Sequence, residues 1–550
     1  MCKNIQVYKK LFEEKKFSQI INLIENDKTN KSAKILHILG VCKIVQGSAN
    51  KKTKLSAREN FREAFLLAKN TDVGVEALSN FINLSTDFLE IKDSLDYFNK
   101  LDERYKNNIN ILKSISRVYQ FSCEVHNRRD ILERIIKLDP DSLKDWCSYI
   151  YIQNFDYLWD QEKFLDKSKQ FSQKIPDYDL EKINIDKNIK TRKIKIGFIS
   201  SDFVDRHSVS YFLKSLLKNI NKSKFELFAF SNQDIGDDKD SELKNYFDYW
   251  YNIRTIDDLK AIKFIREKKI DIAFDLMGVT SENRITLFKN RISPIQISWL
   301  GYCNTSGLHE MDYLIADKYL IKENEEAFYL EKIKKLSTIW NTHVGFEQSR
   351  KNIEAPSIKK NIFTFGSFNN FNKISDETFE CWVSILNKVN NSNLLLKSSM
   401  KYNLDFFYEK INKLGISNKI KILDPVDDLG SHLNLYDEVD LALDTFPYNG
   451  VTTTFESLWK NVPVLTMKGY NFNSRCGSSI IKWLGCEYLV AKNKDEYIAK
   501  AVYLSKNSNK LNEIRDFIYN NIMNSALFDT KNFTFHFEKL LDEIIIEKTI

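Results

Sequence analysis

The residues best suited to chemistry lie in Val439–Lys468, VDLALDTFPYNGVTTTFESLWKNVPVLTMK. An apolar run ends at Asp444, Pro447–Gly450 supplies a turn, and a helix is expected to open at the hydroxyls of Thr452, Thr453 and Thr454. A helix start carries free N–H donors and the positive end of the helix dipole, which suits a diphosphate. Glu456, one turn further on, has the chemistry to accept hydrogen bonds from ribose hydroxyls. The spacing Thr453-x-x-Glu456 is equally that of a capping box, which needs no ligand. Spacing alone leaves both readings open.

A second candidate is Lys373 in Phe365–Ser375, FGSFNNFNKIS, on a polar loop between an expected strand ending near Phe368 and a helix starting near Ser375. A lysine there can neutralise the charge that develops on a departing nucleoside diphosphate. In a chain with 82 Lys and Arg, it is also the kind of residue that simply faces solvent. Histidine is scarce enough to weigh singly. His207 in Ser201–Phe212, SDFVDRHSVSYF, falls between the first strand and the first helix of an α/β half, where such sheets expose functional groups. His432 precedes the strand that leads to Asp444 and falls near the same cleft. His37, His126 and His536 sit in helical or terminal segments and read as ordinary, whereas His309 and His343 are ambiguous. No carboxylate partner for His207 can be read off, so a general base stays unassigned. Asp237-Asp238 and Asp427-Asp428 read as loop charges, and the scattered cysteines include no CxxC, so no metal is expected.

These groups need strands to carry them. Lys193–Ser200, Lys224–Ser231, Ile270–Leu276, Ile295–Trp299 and Tyr313–Ala316 are short apolar runs, with helical segments at Ser210–Asn219 and Ile256–Lys268. The pattern restarts at Ile362–Phe368, then Asn393–Lys397, Lys419–Leu423, Val439–Asp444 and Val462–Met467. Two Rossmann-like lobes joined near Gly345–Lys360 would leave a cleft between the carboxyl ends of two parallel sheets. Neither GxGxxG nor GxxxxGK[ST] occurs, which disfavours a dinucleotide oxidoreductase or a P-loop NTPase.

Before residue 190 the punctuation of turns is missing: only Gly40, Gly47 and Gly74 of 16 glycines fall there, and the first proline is Pro140. That segment reads as helical and weakly repetitive. Leu36, Leu39 and Gly40 followed by Ala57, Phe61 and Ala64 resemble the two helices of a tetratricopeptide repeat, with extra residues around Ser48–Lys54. Ser94 and Phe98, then Leu112, Ile115, Tyr119, Leu132 and Ile135 give further copies, with a plain helical bundle as the alternative. The expected layout is a tetratricopeptide-like helical region over 1–150, a helical linker over 151–190, and lobes over 191–350 and 351–550. The net charge of +7 is small beside 82 Lys and Arg and 75 Asp and Glu, so it reads as background composition and no nucleic-acid partner is expected. The polar N-terminus, the isolated cysteines and the lack of a run of about 18 apolar residues lead to a cytoplasmic chain with no membrane span as the expectation.

Several segments, in one order from about residue 190 to 490, carry a resemblance. They are SDF…HSVSYF (Ser201–Phe212), SPIQISWLGYCNTSGLHEMDYLIAD (Ser293–Asp317), FGSFNNFNKIS and LDTFPYNGVTTTFESLW…VPVLTM. Together they resemble the O-GlcNAc transferase family, which includes plant SPINDLY-type protein O-fucosyltransferases and bacterial members with tetratricopeptide repeats. The resemblance implies a GT-B fold behind a helical repeat region. It also implies inverting, metal-independent transfer of GlcNAc or a related sugar from a nucleotide-sugar donor, UDP- or GDP-linked, to Ser/Thr of a protein, without a cofactor. On it, Lys373 matches the diphosphate lysine and Asn370 a polar residue just before it. Thr452 and Thr453 match the Thr pair at the helix start, with Thr454 beside them, and Glu456 the ribose ligand. His432 matches a donor-side histidine, Leu300 and Gly301 backbone positions beside the sugar, and His207 the active-site histidine of the first lobe, with one extra residue between it and Asp202.

This sequence also departs from the pattern. Val451 stands where animal members have His, Val279 replaces the His of a GHT motif, and Leu429 and Leu435 occupy positions that are basic in animal members. Tyr448 replaces a smaller residue near the N-acetyl group of the animal enzyme. The expected partners are a nucleotide sugar and a protein or peptide acceptor held by the N-terminal repeats. The alternatives are a GDP-fucose-dependent protein O-fucosyltransferase, an Asn-directed hexosyltransferase, or an inactive repeat scaffold.

Overall fold

The computed structural model describes every residue except 1, 28–31, 48–49, 157–159, 187, 206, 235, 237–240, 399, 427 and 550. Asp237, Asp238 and Asp427, and the start of the insertion at Ser48, thus lie outside the described residues. The chain forms two compact units, Met1–Asp145 with Tyr402–Lys413, and Trp146–Lys401 with Leu414–Ile550.

The first unit is helical among its described residues. Ala33–Gly47 packs on Lys51–Leu67, which packs on Asp72–Asp87, and Ile109–Phe121 packs on Val125–Leu138. These are the stacked hairpins expected of repeats, each burying a face that a single hairpin could not cover. A Cβ at position 40 would lie 2.6 Å from the Phe61 ring, so Gly40 is what lets the first of these hairpins close. Asn50, Thr71 and Asn108 cap the following helices through their own side chains. Residues 402–413 add the helix Asp405–Lys413, anchored where Asn403 donates to the carbonyls of Phe121 (2.9 Å) and Leu89 (2.7 Å).

The second unit contains two parallel sheets. The first comprises β1 (Ile194–Ser200), β2 (Phe225–Ser231), β3 (Tyr249–Asn252), β4 (Ile272–Asp275), β5 (Ile295–Ser298), β6 (Tyr313–Asp317) and β7 (Lys332–Leu336), in the order β3-β2-β1-β4-β5-β6-β7. The second comprises β8 (Phe363–Ser367), β9 (Ser392–Lys397), β10 (Ile420–Leu423), β11 (Leu441–Leu443), β12 (Val464–Met467) and β13 (Val490–Ala491), in the order β10-β9-β8-β11-β12-β13. This is the GT-B arrangement expected from the sequence. The central strands are buried on both faces and read as continuous apolar runs. The two edge strands of the first sheet, β3 (YWYN) and β7 (KIKKL), have no such run, and the edge strand β13 of the second is only two residues long, which is why the sequence did not mark them. The last helix, Thr530–Thr549, packs on the first sheet, with Phe537 against Trp299 (ring centres 4.7 Å apart) and Phe274 (5.7 Å).

The two lobes are tied by polar contacts. Arg475 is buried and donates to Glu325 (2.8 Å) and the Leu320 carbonyl (3.0 Å). Asp317 at the end of β6 accepts from Ser479 Oγ at 2.7 Å. Asn154 Oδ1 accepts from Asn304 (2.9 Å) in the first lobe and Asn473 (2.6 Å) in the second.

Candidate active site

The turn after β11 is built around Asp444. Its Oδ1 accepts from the amides of Thr445 (2.9 Å) and Gly450 (2.7 Å), and its Oδ2 from Thr466 Oγ1 (2.7 Å). Burial pushes its carboxyl up to about 6 against those hydrogen bonds and the nearby Lys373 charge. Close approach excludes side chains twice here. A Cβ at 477 would lie 2.3 Å from Asp444 Oδ2, and one at 450 would lie 2.5 Å from Thr453 Oγ1.

The helix Thr452–Trp459 follows, with Val451 at its N-cap. Valine has no oxygen to cap with, and the amides of Thr452 and Thr453 find no acceptor among the described residues. The capping box that the sequence allowed does not form. Thr453 Oγ1 instead donates to Asn369 Oδ1 at 2.9 Å, and Glu456 turns to His432 and Tyr436. Thr454 Oγ1 bonds the Gly450 carbonyl at 3.0 Å, inside the turn.

Glu456 is buried, yet one of its oxygens is open. Oε2 lies 3.0 Å from His432 Nε2 and accepts from Tyr436 Oη at 3.1 Å, while Oε1 has no partner among the described residues. His432 Nδ1 lies 3.0 Å from Lys397 Nζ at the end of β9.

Lys373 closes the short turn Phe371–Lys373 after β8, a turn capped by Asn370 Oδ1 on the Asn372 amide (2.9 Å). Its Nζ donates to the Asn449 carbonyl (3.0 Å) and lies 4.4 Å from the centre of the Tyr448 ring. Burial lowers the pKa of this ammonium, and the Asp444 carboxylate opposes that shift. Cys303 and Cys476, one from each lobe, are near enough to act on the same charge, which sets the Leu300–Cys303 turn beside Lys373. In that turn Leu300 has a φ of +69°, and a Cβ on Gly301 would lie 1.7 Å from the Leu276 carbonyl oxygen. The backbone is thus fixed at the two positions named from the sequence.

His207 is the N-cap of helix Ser208–Leu217, with Nδ1 3.4 Å from the Val209 amide. Its Nε2 lies 3.8 Å from Asp202 Oδ1, a carboxylate partner that the sequence did not suggest. Burial raises the Asp202 pKa, and His207 opposes that. Ser208, next in the chain, accepts from Thr452 Oγ1 at 2.8 Å, so the first helix of one lobe meets the helix start of the other.

Lys373, Asn370, Thr452–Thr454, Glu456 and His432 therefore gather at the carboxyl edge of the second sheet. The Leu300–Gly301 turn and the His207 helix approach from the first lobe. His343 does not join them: it is enclosed by Phe346, Tyr211 and Phe455, and burial pushes its pKa down to about 3. His37 lies in the helical unit, bonded to Asn80 at 3.0 Å. Asn369, Tyr436 and Lys397 were not singled out from the sequence. Lys397 had a signal, since it ends an expected strand at the sheet edge where ligands collect.

Two consecutive stretches, residues 166–346 and 347–537, match the model of glycosyl transferase family 41. The chain belongs to glycosyltransferase family 41. Among its relatives is the tomato (Solanum lycopersicum) protein described as a probable UDP-N-acetylglucosamine–peptide N-acetylglucosaminyltransferase SPINDLY. It is 30% identical over 422 residues, 74% of this chain and 44% of that protein. The Arabidopsis thaliana SPINDLY protein of the same description is 31% identical over 393 residues, 69% of this chain and 42% of that protein. This family 41 chain thus spans less than half the length of those relatives. Among solved structures, a point mutant of the Thermobaculum terrenum O-GlcNAc transferase has the same fold. It gives a TM-score of 0.79 at 23% identity, covering 94% of this chain and 98% of that one.

Proposed function

We propose that this chain is a glycosyltransferase that moves a sugar from a nucleoside diphosphate to Ser/Thr of a protein, by in-line displacement with inversion and without a metal. The observation that carries the reading is the uncapped start of helix Thr452–Trp459, with two free amides set on the same turn that Lys373 contacts. Those amides and the Lys373 ammonium supply fixed positive charge where a departing diphosphate needs it. Glu456 Oε1 would take the ribose hydroxyls, Asn370 and His432 would lie on the donor side, and the Leu300–Gly301 backbone would border the sugar. His207, with the Asp202 carboxylate 3.8 Å away, would position the acceptor hydroxyl. The helical unit would engage the acceptor protein, which fits its cavity of about 400 Å³ lined by His37, Asn80 and Asn110.

The names of the relatives point to UDP-N-acetylglucosamine as donor. A second reading, a GDP-linked sugar without an N-acetyl group, is favoured by Tyr448, whose ring stacks on Phe155 (4.8 Å) and fills space beside Lys373. A thermal-shift series with UDP, GDP and their sugars tests both, because a ligand that binds only the native state raises its stability. Stabilisation by one diphosphate selects the donor. If neither stabilises the protein, the donor site is wrong.

A further inference from the structure

Four side chains form one hydrogen-bonded row across four elements of the second lobe. Lys397 Nζ lies 3.0 Å from His432 Nδ1, His432 Nε2 lies 3.0 Å from Glu456 Oε2, and Tyr436 Oη donates to that same oxygen at 3.1 Å. Lys397, Glu456 and Tyr436 are buried and His432 is partly buried, so most of the row is screened from bulk water and its polar atoms depend on their neighbours.

Proton bookkeeping fixes the direction of the row. An ammonium has only donors, so Lys397 requires Nδ1 of His432 as an acceptor. A proton on Nδ1 can be held only at the expense of one on Lys397. In either case the second ring nitrogen carries its own hydrogen, and Nε2–H donates to Glu456. With Nε2–H and the Tyr436 hydroxyl both on Oε2, the carboxylate has one engaged oxygen and one open one. Facing His432 are Lys397 from β9, Glu456 from helix Thr452–Trp459, Tyr436 from the turn after its own helix, and the uncharged ring of Phe368 at 6.0 Å. Asp428, at the start of its own helix, is engaged with the Ser431 amide at 2.8 Å.

We infer that Lys397 is a positioning residue for the donor nucleoside: it sets the His432 tautomer, and through it holds Glu456 so that Oε1 is presented to the ribose diol. This rests on the reading of Glu456 as the ribose ligand. Lys397 need not touch the donor. Without it, only the Glu456 carboxylate keeps the hydrogen of a neutral His432 on Nε2, and every ring that carries it on Nδ1 instead turns a bare Nε2 lone pair toward that carboxylate and pushes Glu456 out of place. An imidazolium carries an N–H on both nitrogens and has no tautomer to choose, so the defect should deepen as pH rises.

The test uses Lys397→Met, Lys397→Arg and Glu456→Ala in the full chain, titrated with UDP and with GDP from about pH 6 to about pH 9. Wild type should bind one of them with little pH dependence. Lys397→Met should lose about tenfold in affinity at the alkaline end relative to the acid end, and Lys397→Arg should restore a flat profile. A flat profile for Lys397→Met, with Glu456→Ala weakened about tenfold, overturns the inference alone. Unchanged affinity in Glu456→Ala overturns the ribose reading beneath it. Should Lys397→Met fail to fold, ¹⁵N NMR of the wild-type histidine rings decides. An Nε2–H ring at His432 supports the inference, and an Nδ1–H ring overturns it.

Discussion

Lys373 Nζ sits 4.4 Å above the Tyr448 ring while donating to the next carbonyl in the chain, that of Asn449. The ammonium is held against the turn that leads to helix Thr452–Trp459, so its charge and the helix amides act on one place. A positive group fixed before the reaction requires no rearrangement as negative charge grows on the leaving diphosphate.

Lys373→Ala should therefore lower kcat by about 10²–10³, with a smaller change in nucleotide affinity. Steady-state transfer and donor hydrolysis read this directly. Sugar transfer that persists unchanged would falsify the proposed role.

Gly450 and Gly477 frame the same turn from two sides. A methyl at 450 would lie 2.5 Å from Thr453 Oγ1 and 2.7 Å from Asn369 Oδ1, and one at 477 would lie 2.3 Å from Asp444 Oδ2. Neither site can accept a methyl without moving a hydrogen-bonded group. Gly450→Ala and Gly477→Ala should each cost about 1–3 kcal/mol in stability. Gly450→Ala should also weaken diphosphate binding, because Asn369 and Thr453 would part. Denaturant titration and calorimetry separate the two effects. A Gly450→Ala protein of normal stability and affinity would contradict the geometry.

Stability should depend on pH through Asp317. Burial pushes this carboxyl up to about 6, against hydrogen bonds from Ser479, Tyr319 and Trp340. Because the folded pKa lies above the ordinary aspartate value, the native state binds the proton more tightly than the unfolded chain does. Ionising Asp317 therefore costs stability as pH rises from about 4 through about 6, and lowering the pH recovers it. The Tm difference between wild type and Asp317→Asn should thus grow in favour of wild type between about pH 7 and about pH 5. Parallel Tm curves over that window would remove Asp317 as a source of the dependence.

Much of the fold was legible because buried parallel strands are continuous apolar runs, and because glycines and prolines thin out where helical hairpins stack. The edge strands β3 and β7 were not, since exposed edges carry Lys and Tyr with no apolar signature. Nor was helix Asp405–Lys413, whose place depends on two hydrogen bonds from Asn403 to distant carbonyls. At the site, motif positions were readable but partners were not. Thr453-x-x-Glu456 allowed a capping box, and only the fold decides that Thr453 meets Asn369 and Glu456 meets His432. Asp202, five residues before His207, became its partner through the curve of the loop after β1.

The helical unit supplies the last test. Asn80 Nδ2 and His37 Nε2 lie 3.0 Å apart at the wall of the cavity of about 400 Å³, and the side-chain amides of Asn83 and Asn110 on the same wall bond no other described residue. Burial lowers the His37 pKa, with Glu76 opposing, and the same wall carries the charged Glu76 and Lys113, the latter paired with Asp139 and Asp145 at 3.1 Å each. Open amides beside one carboxylate and one already paired ammonium suit a chain of alternating N–H and C=O groups better than they suit an anion. Replacing Asn80 and Asn83 together with Ala should raise KM for a protein acceptor about tenfold while leaving kcat near wild type. Diphosphate affinity and donor hydrolysis should not change, because both belong to the other unit. A double variant with unaltered acceptor KM would show that the acceptor is held elsewhere, and a matching loss of donor affinity would point to damaged folding instead.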